Sequence, residues 1–141
     1  MSRQISFSDG FTSSSPPDVT GSSQEDFLIL NNQAVALSLL TIDALNYKSA
    51  FISFELSRSE TGLEYRQAAT MIISYDGTNW LLNVGNYQGS DLINDSLTNP
   101  ENITLSVSTI SGVGSIEYTS GNMGAGYTGT LKASITRIVT V

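Results

Sequence analysis

Gly126-Tyr-Thr-Gly-Thr-Leu-Lys-Ala-Ser-Ile-Thr-Arg-Ile-Val-Thr-Val141 is the stretch that decides the fold class. Tyr127, Gly129, Leu131, Ala133 and Ile135 fall on one side of an extended chain, and Thr128, Thr130, Lys132, Ser134 and Thr136 fall on the other. A period of two over this length requires a sheet with one dry and one polar face, because a helix would scatter the same apolar residues around its circumference. The rhythm recurs in Lys48 to Ser57, where Ala50, Ile52, Phe54 and Leu56 oppose Ser49, Ser53, Glu55 and Ser57, and Phe51 breaks the polar face. An aromatic there is expected either under a loop or in a subunit contact. Ser59 to Leu63 reads as a turn and Glu64 to Tyr75 as the returning strand, with Tyr65, Ala69, Met71, Ile73 and Tyr75 on one side. Ile72 and Ala68 leave its other face only partly polar, as a central strand or a subunit seam requires.

Asp76-Gly77 suits the positive φ values of a type I′ hairpin and precedes the alternating Trp80, Leu82 and Val84. From Gly85 to Glu101 the alternation dissolves, which reads as a long loop with a short edge strand near Asp91 to Ile93. Ile103, Leu105 and Val107 resume it, Ser111-Gly112 reverses the chain into Val113 to Tyr118, and Gly121 to Gly126 forms the last loop. Toward the N-terminus, Phe27 to Leu30 and Ala34 to Leu40 read as two strands of a hairpin closed by Asn31-Asn32-Gln33, since Asn tolerates positive φ. The segment from Ala34 also fits a turn or two of helix; the strand reading is preferred, followed by a loop around Asp43 to Tyr47. The sum is an all-β chain of about eight strands, an antiparallel β-sandwich of the jelly-roll kind in preference to a small barrel.

A chain of 141 residues supports one core and one domain. Residues 8 to 25 are dense in Ser, Pro and Gly without period, a composition that cannot repay its ordering entropy by burial. The expected division is an N-terminal arm over 1–25 and the sandwich over 26–141. Ile5, Phe7 and Phe11 are candidate anchors of the arm on the domain or on another protein, beside the reading of incidental hydrophobes in a floppy terminus. The composition is 40% hydrophobic and only 13% charged, so the polar surface is built from Ser, Thr, Asn and Gly. A formal charge of -7, with six basic residues dispersed along the chain, argues against nucleic acid. No apolar run approaches the roughly 18 residues of a membrane span, so no membrane insertion is expected. The N-terminal segment also lacks an apolar signal core, so the chain is expected to be made soluble or to be a fragment whose signal was removed.

Chemistry has few places to reside. His and Cys are both absent, which removes the usual neutral-pH base, thiolate nucleophiles, disulfides and sulfur-ligated metals. Glu55 and Glu117 lie in predicted strands and would suit glycoside hydrolysis only if one cleft held both. Nothing in the sequence unites them, and a non-enzymatic protein without cofactor is expected. Asp91, Asn94 and Asp95 offer hard oxygen ligands, but without the alternating spacing of a calcium loop; a polar loop with no metal site is the expectation.

Loop aromatics are the better recognition candidates. Tyr87 beside Gln88 and Asp91 suits a sugar-binding surface, with an aromatic plane for ring faces and polar groups for hydroxyls. Trp80 shares the phase of Leu82 and Val84, which favours core packing over ligand stacking. Arg58, Arg66 and Arg137 each open or close an apolar strand and are candidates for reaching a carboxylate across a rim or subunit boundary. Arg58 has Glu60 and Glu64 nearby, and an ordinary surface pair worth under about 1 kcal/mol is the competing reading.

In the order of its segments the chain resembles phage-encoded virion domains found in fibres, tail appendages and accessory particle proteins. Tyr47 to Arg58 looks like their first long strand with its terminal Arg, Ala69 to Trp80 like the next strand and turn, and Asn102 to Ser108 like the strand after. Ile116 to Ser120 is similar to the penultimate strand, and Gly129 to Arg137 to the closing strand with its basic end, a likeness over roughly 34–138. The resemblance implies a sandwich assembled as a homotrimer, with residues 1–25 matching an attachment segment by position, and with Phe51, Ile72, Arg58, Arg66 and Arg137 as subunit contacts. It implies a structural protein of the virion, made in the host cytoplasm, with other virion proteins as partners and a host-surface glycan or protein as a further contact. A carbohydrate-binding module of a secreted protein, or a capsid decoration or tail-connector protein with no host ligand, are the alternatives.

Overall fold

A computed structural model of the chain describes residues 22–140. Its strands are β1 (Ser23–Leu28), β2 (Leu37–Asp43), β3 (Tyr47–Glu60), β4 (Leu63–Tyr75), β5 (Trp80–Gly89), β6 (Ile103–Ile110), β7 (Val113–Ser120) and β8 (Thr128–Val139). They form two antiparallel sheets, ordered β1-β8-β3-β4-β5 and β2-β7-β6. β1, β2 and β3 alternate between the sheets, while β3-β4-β5 stays together as a meander and β6-β7 as a hairpin. Five strands therefore face three.

The inward rows anticipated from the two-residue period make the core. Ala50, Ile52, Phe54 and Leu56 of β3, Ala69, Met71 and Ile73 of β4, and Leu131, Ala133 and Ile135 of β8 are all buried and pack toward Ile42, Ile103, Ile116 and Tyr118. Register makes these rows fit. Phe54 stands between Ala69 on one neighbour and Ala133 on the other, so two methyl groups leave room for one ring. Trp80, at 2% exposure, has the same relation to Gly114, where an added Cβ would lie 2.5 Å from the indole Cγ.

Three local expectations change. The Asn31-Asn32-Gln33 segment does not close a hairpin: β1 pairs with β8 and β2 with β7, in different sheets. Asn32 does adopt a positive φ of 53°, but its N–H donates to Gly121, and Ser120 N–H donates to Gln33, so the segment is bonded to the far end of β7. Turn chemistry is local, whereas strand partnership is chosen by burial. The Asp76-Gly77 hairpin is not a two-residue type I′ turn either, since Tyr75 pairs with Trp80 and only Gly77 has positive φ. Asp76 instead caps the loop, its carboxylate accepting from Thr78 and Asn79 N–H at 2.8 and 2.7 Å. Those backbone donors hold its pKa below the usual 3.8. Ser111-Gly112, with φ of 51° and 79°, is the two-residue turn, joining Ile110 to Val113.

The third change is at β5, which continues to Gly89 where the sequence suggests a loop. Thr70 pairs with Gly85 and Ala68 with Gln88, so β5 carries one more residue than β4 across this interval. The bulge shifts the phase, and a strict period-two reading fails there by construction.

Residues 23–25 belong to β1, so the expected boundary at 25 falls inside a strand; Ile5, Phe7 and Phe11 lie outside the described residues. Glu25 accepts from Arg137 at 3.2 Å, and Phe27 packs against the core. Removing residues 1–21 is therefore expected to leave the melting temperature within about 2 °C, whereas removal through Leu28 strips a neighbour from β8 and lowers it by 10 °C or more. Thermal denaturation of the two truncations checks this.

Candidate functional site

The flank of the sandwich where β5 and β6 form the sheet edges is open. Along it run two adjoining recesses. One, of about 440 Å³, is lined by Gln67, Tyr87, Gly89, Asp91, Ile93, Asn94 and Asp95. The other, of about 360 Å³, is lined by Leu82, Val84, Leu105, Ser106 and Val107 and shares Tyr87, Ile93 and Asp95 with the first.

Backbone geometry builds this site. The bulge in β5 brings Tyr87 into the phase of Val84, and its hydroxyl donates to the Val84 carbonyl at 3.2 Å, which lays the ring along its own strand. At Gly89 the chain turns across the sheet edge with φ of 100°, and an added Cβ would sit 2.5 Å from the Arg66 carbonyl oxygen. Ser90 N–H donates to that carbonyl at 2.8 Å. The chain then crosses to the other sheet, where Ile103 N–H donates to Leu92 and Asn94 N–H to Ile103.

Gln67 fastens the crossing. It occupies an inward position on β4 and is 3% exposed, and its Oε1 accepts from Leu92 N–H at 3.1 Å and Ile93 N–H at 2.8 Å. Sequence reasoning passed over Gln67, although a signal was available. It sits in the dry phase of β4 between Tyr65 and Ala69, and a buried amide must find partners.

Of the recognition candidates, Tyr87 and Asp91 meet in the first recess, while Gln88 does not line it. Trp80 is not part of this surface. It lies in the core, its indole N–H donating to Gly112 at 2.9 Å and its ring 5.3 Å from that of Tyr75. Among the described residues no group of three or more acidic, His or Cys side chains is placed to hold a metal ion. Asn94 Oδ1 accepts from Ser96 N–H. Glu55 and Glu117 point outward from different sheets, on opposite sides of the sandwich, so they do not share a cleft.

The three arginines have three different settings. Arg66 is exposed and pairs with Glu64 at 2.8 Å and Glu55 at 3.3 Å on the outer face of the larger sheet. Arg137 pairs with Glu25 and lies over the Tyr47 ring, tying β1 and β3 to β8. Arg58 has neither the surface pair with Glu60 or Glu64 nor a place at a subunit boundary, because it is 0% exposed within the chain itself. Its inward phase continues the row Ala50 to Leu56.

All five N–H donors of Arg58 are used, and every acceptor is neutral. Nε donates to the Tyr127 hydroxyl at 3.1 Å, Nη1 to the carbonyls of Pro100 and Asn102 at 3.2 Å each, and Nη2 to Asn31 Oδ1 at 3.3 Å and Gly121 O at 3.0 Å. Tyr127 in turn donates to Ile29 O at 2.7 Å. One planar fork thereby joins three loops at one end of the sandwich.

Phe51 and Ile72 are brought together. They are directly paired across β3 and β4 on the outer face, 46% and 43% exposed. Thr136, Asn83, Ser53, Thr70 and Ser74 are their cross-strand or same-face neighbours, and Leu81 is exposed beside them opposite Ser74. This half of the face carries no charge, an arrangement that desolvates at low cost.

No family model matches the chain, and no curated protein matches it. Among the solved structures that match are two phage tailspike proteins. The tailspike protein of Acinetobacter phage vB_ApiP_P1 matches over 99% of this chain and 25% of its own length, at 10% identity and a TM-score of 0.53. The Acinetobacter baumannii phage AM24 tailspike protein matches over 86% of this chain and 26% of its own, at 10% identity and a TM-score of 0.43. The chain thus spans about a quarter of the length of these proteins. At this identity the likeness concerns the fold: the eight-stranded sandwich resembles a domain-sized portion of a phage tailspike protein.

Proposed function

We propose that this chain is a non-enzymatic structural component of a phage virion, a tail or fibre appendage domain fixed to the particle through residues preceding β1, with the sandwich turned outward. The observation that carries this reading is the fold likeness to part of a tailspike protein over 99% of the chain. The separation of Glu55 from Glu117 and the absence of His in the sequence favour a binding or structural role over hydrolysis.

Assembly as a homotrimer through the uncharged half of the larger sheet's outer face accounts for the exposure of Phe51 and Ile72. A chain of net charge -7 repels its copies over most of its surface, and this patch is where contact is least opposed. Light scattering on the purified chain is expected to give three times the chain mass, and Phe51→Asp is expected to give one chain mass with the melting cooperativity retained. A wild-type monomer, or a trimer indifferent to Phe51→Asp, refutes this assembly. For attachment, removal of residues 1–21 is expected to abolish incorporation into particles while leaving the trimer intact. Incorporation at the wild-type level would remove the role assigned to that segment.

A further inference from the structure

We infer that the recess beside β5 is a saccharide subsite for an uncharged sugar. The inference rests on the outward-facing reading for its biological context, while binding by the purified chain tests it separately.

The first element is a fixed donor. Two backbone N–H groups hold Gln67 Oε1, which orients the amide, and Nε2 has no hydrogen-bond partner among the described residues. Because Gln67 is 97% buried by its 3% exposure and lines the recess, the recess is where that Nε2 finds an acceptor. An amide held this way meets a ligand without further ordering cost. The second element is a pair of acceptors. Neither Asp91 nor Asp95 has a side-chain hydrogen bond among the described residues, and both line the same recess. The third is the Tyr87 ring, 48% exposed and held by its own hydroxyl, which offers a plane to the apolar face of a pyranose.

A fixed donor, two carboxylates and an aromatic plane match a molecule whose hydroxyls donate and accept around an apolar ring. The adjoining recess supplies the finer choice. Leu82, Val84, Leu105, Ser106 and Val107 line it, and its exposed surface is mostly polar, suited to the hydroxyls of a second sugar unit. Charge decides the rest. Two carboxylates at the rim, no cation among the lining residues and a chain charge of -7 oppose an acidic sugar. The recess volumes of about 440 and 360 Å³ fall in the range of small-ligand sites, about 300–1,000 Å³.

The test is an amide NMR titration of the ¹⁵N-labelled full chain with the neutral disaccharide cellobiose, and with glucose and glucuronic acid as a matched neutral and acidic pair. The expected result is saturable shifts of the Gln67 side-chain amide and of the Tyr87 and Asp91 to Asp95 backbone. Affinity is expected to fall about tenfold in Tyr87→Ala and to be at least about tenfold weaker for glucuronic acid. Asp95→Asn should narrow the gap between the neutral and acidic sugars. The inference is overturned by an absence of saturable shifts at the recess with the neutral disaccharide. Equal binding of glucuronic acid, or full affinity in Tyr87→Ala, overturns it too. A monomeric chain that binds removes the trimer and leaves the subsite; a trimer that shows no shifts does the reverse.

Discussion

Arg58→Ala is expected to lower the unfolding free energy by about 3–5 kcal/mol, measured by urea denaturation monitored through Trp80 fluorescence. The guanidinium is fully buried, so its removal leaves a cavity and strands the Pro100 carbonyl, while Asn102 O, Gly121 O and Asn31 Oδ1 each lose one donor and keep Gly121, Asn32 and Met123 N–H respectively. The one stranded acceptor costs about 1–3 kcal/mol, and the emptied volume and the lost charge-assisted bonds supply the remainder. Arg58→Lys retains the charge but has only three donors without the planar fork, so it is expected to recover less than half of the loss. A loss below about 1 kcal/mol in Arg58→Ala would show that these loops hold one another without the fork.

Base probes the same cluster. Burial raises the Tyr127 pKa above the usual 10.0, and the hydrogen bond and charge of Arg58 oppose that rise only in part. A phenol whose pKa is raised on folding contributes stability that is complete below its unfolded value and is lost as pH climbs through the folded one. Stability is therefore expected to decline above about pH 10 in the wild type, and this component is absent in Tyr127→Phe.

Trp80→Ala is expected to cost about 3–5 kcal/mol in urea denaturation followed by far-ultraviolet circular dichroism, because the variant lacks the chain's one Trp. The indole is 2% exposed, bonds Gly112 through Nε1, meets Tyr75, and lies against Gly114. Its truncation empties the largest fully buried side-chain site among the described residues, at the point where β5 of one sheet meets β7 of the other. Phenylalanine restores most of the ring volume but loses the indole N–H bond to the Gly112 carbonyl, which keeps Ala44 N–H as a donor, so an intermediate loss is expected. A near-neutral Trp80→Ala would place the residue in a ligand-facing setting, contrary to its burial.

The two-residue rhythm was sufficient to give β3 to β8 their place along the chain and, in β3, β4 and β8, their inward rows, whereas β1 and β2 lie several residues from where the sequence suggests them. It also singled out Phe51 and Ile72 as misplaced hydrophobes on a polar face, and the structure puts them side by side. Trp80 was legible as core from its phase with Leu82 and Val84. The end of β5 was not legible, because the bulge that aims Tyr87 into the recess is the same irregularity that breaks the rhythm. Arg58 was misread for a related reason. Its inward phase was visible, but a charge at a strand end is ordinarily solvated, and the neutral acceptors that bury it come from residues 27 to 69 positions away.

In β3, β4 and β8 strand identity and face were settled by the sequence alone, since side-chain alternation is a property of neighbouring residues and survives any choice of partner. Partnership was settled only by the tertiary structure. It alone sends β1 to β8 and β2 to β7, buries Arg58 under three loops, and turns the Gln67 amide toward Tyr87, Asp91 and Asp95. Each of those outcomes depends on donors, acceptors and volumes supplied by distant segments, and no local pattern encodes where a distant segment comes to rest.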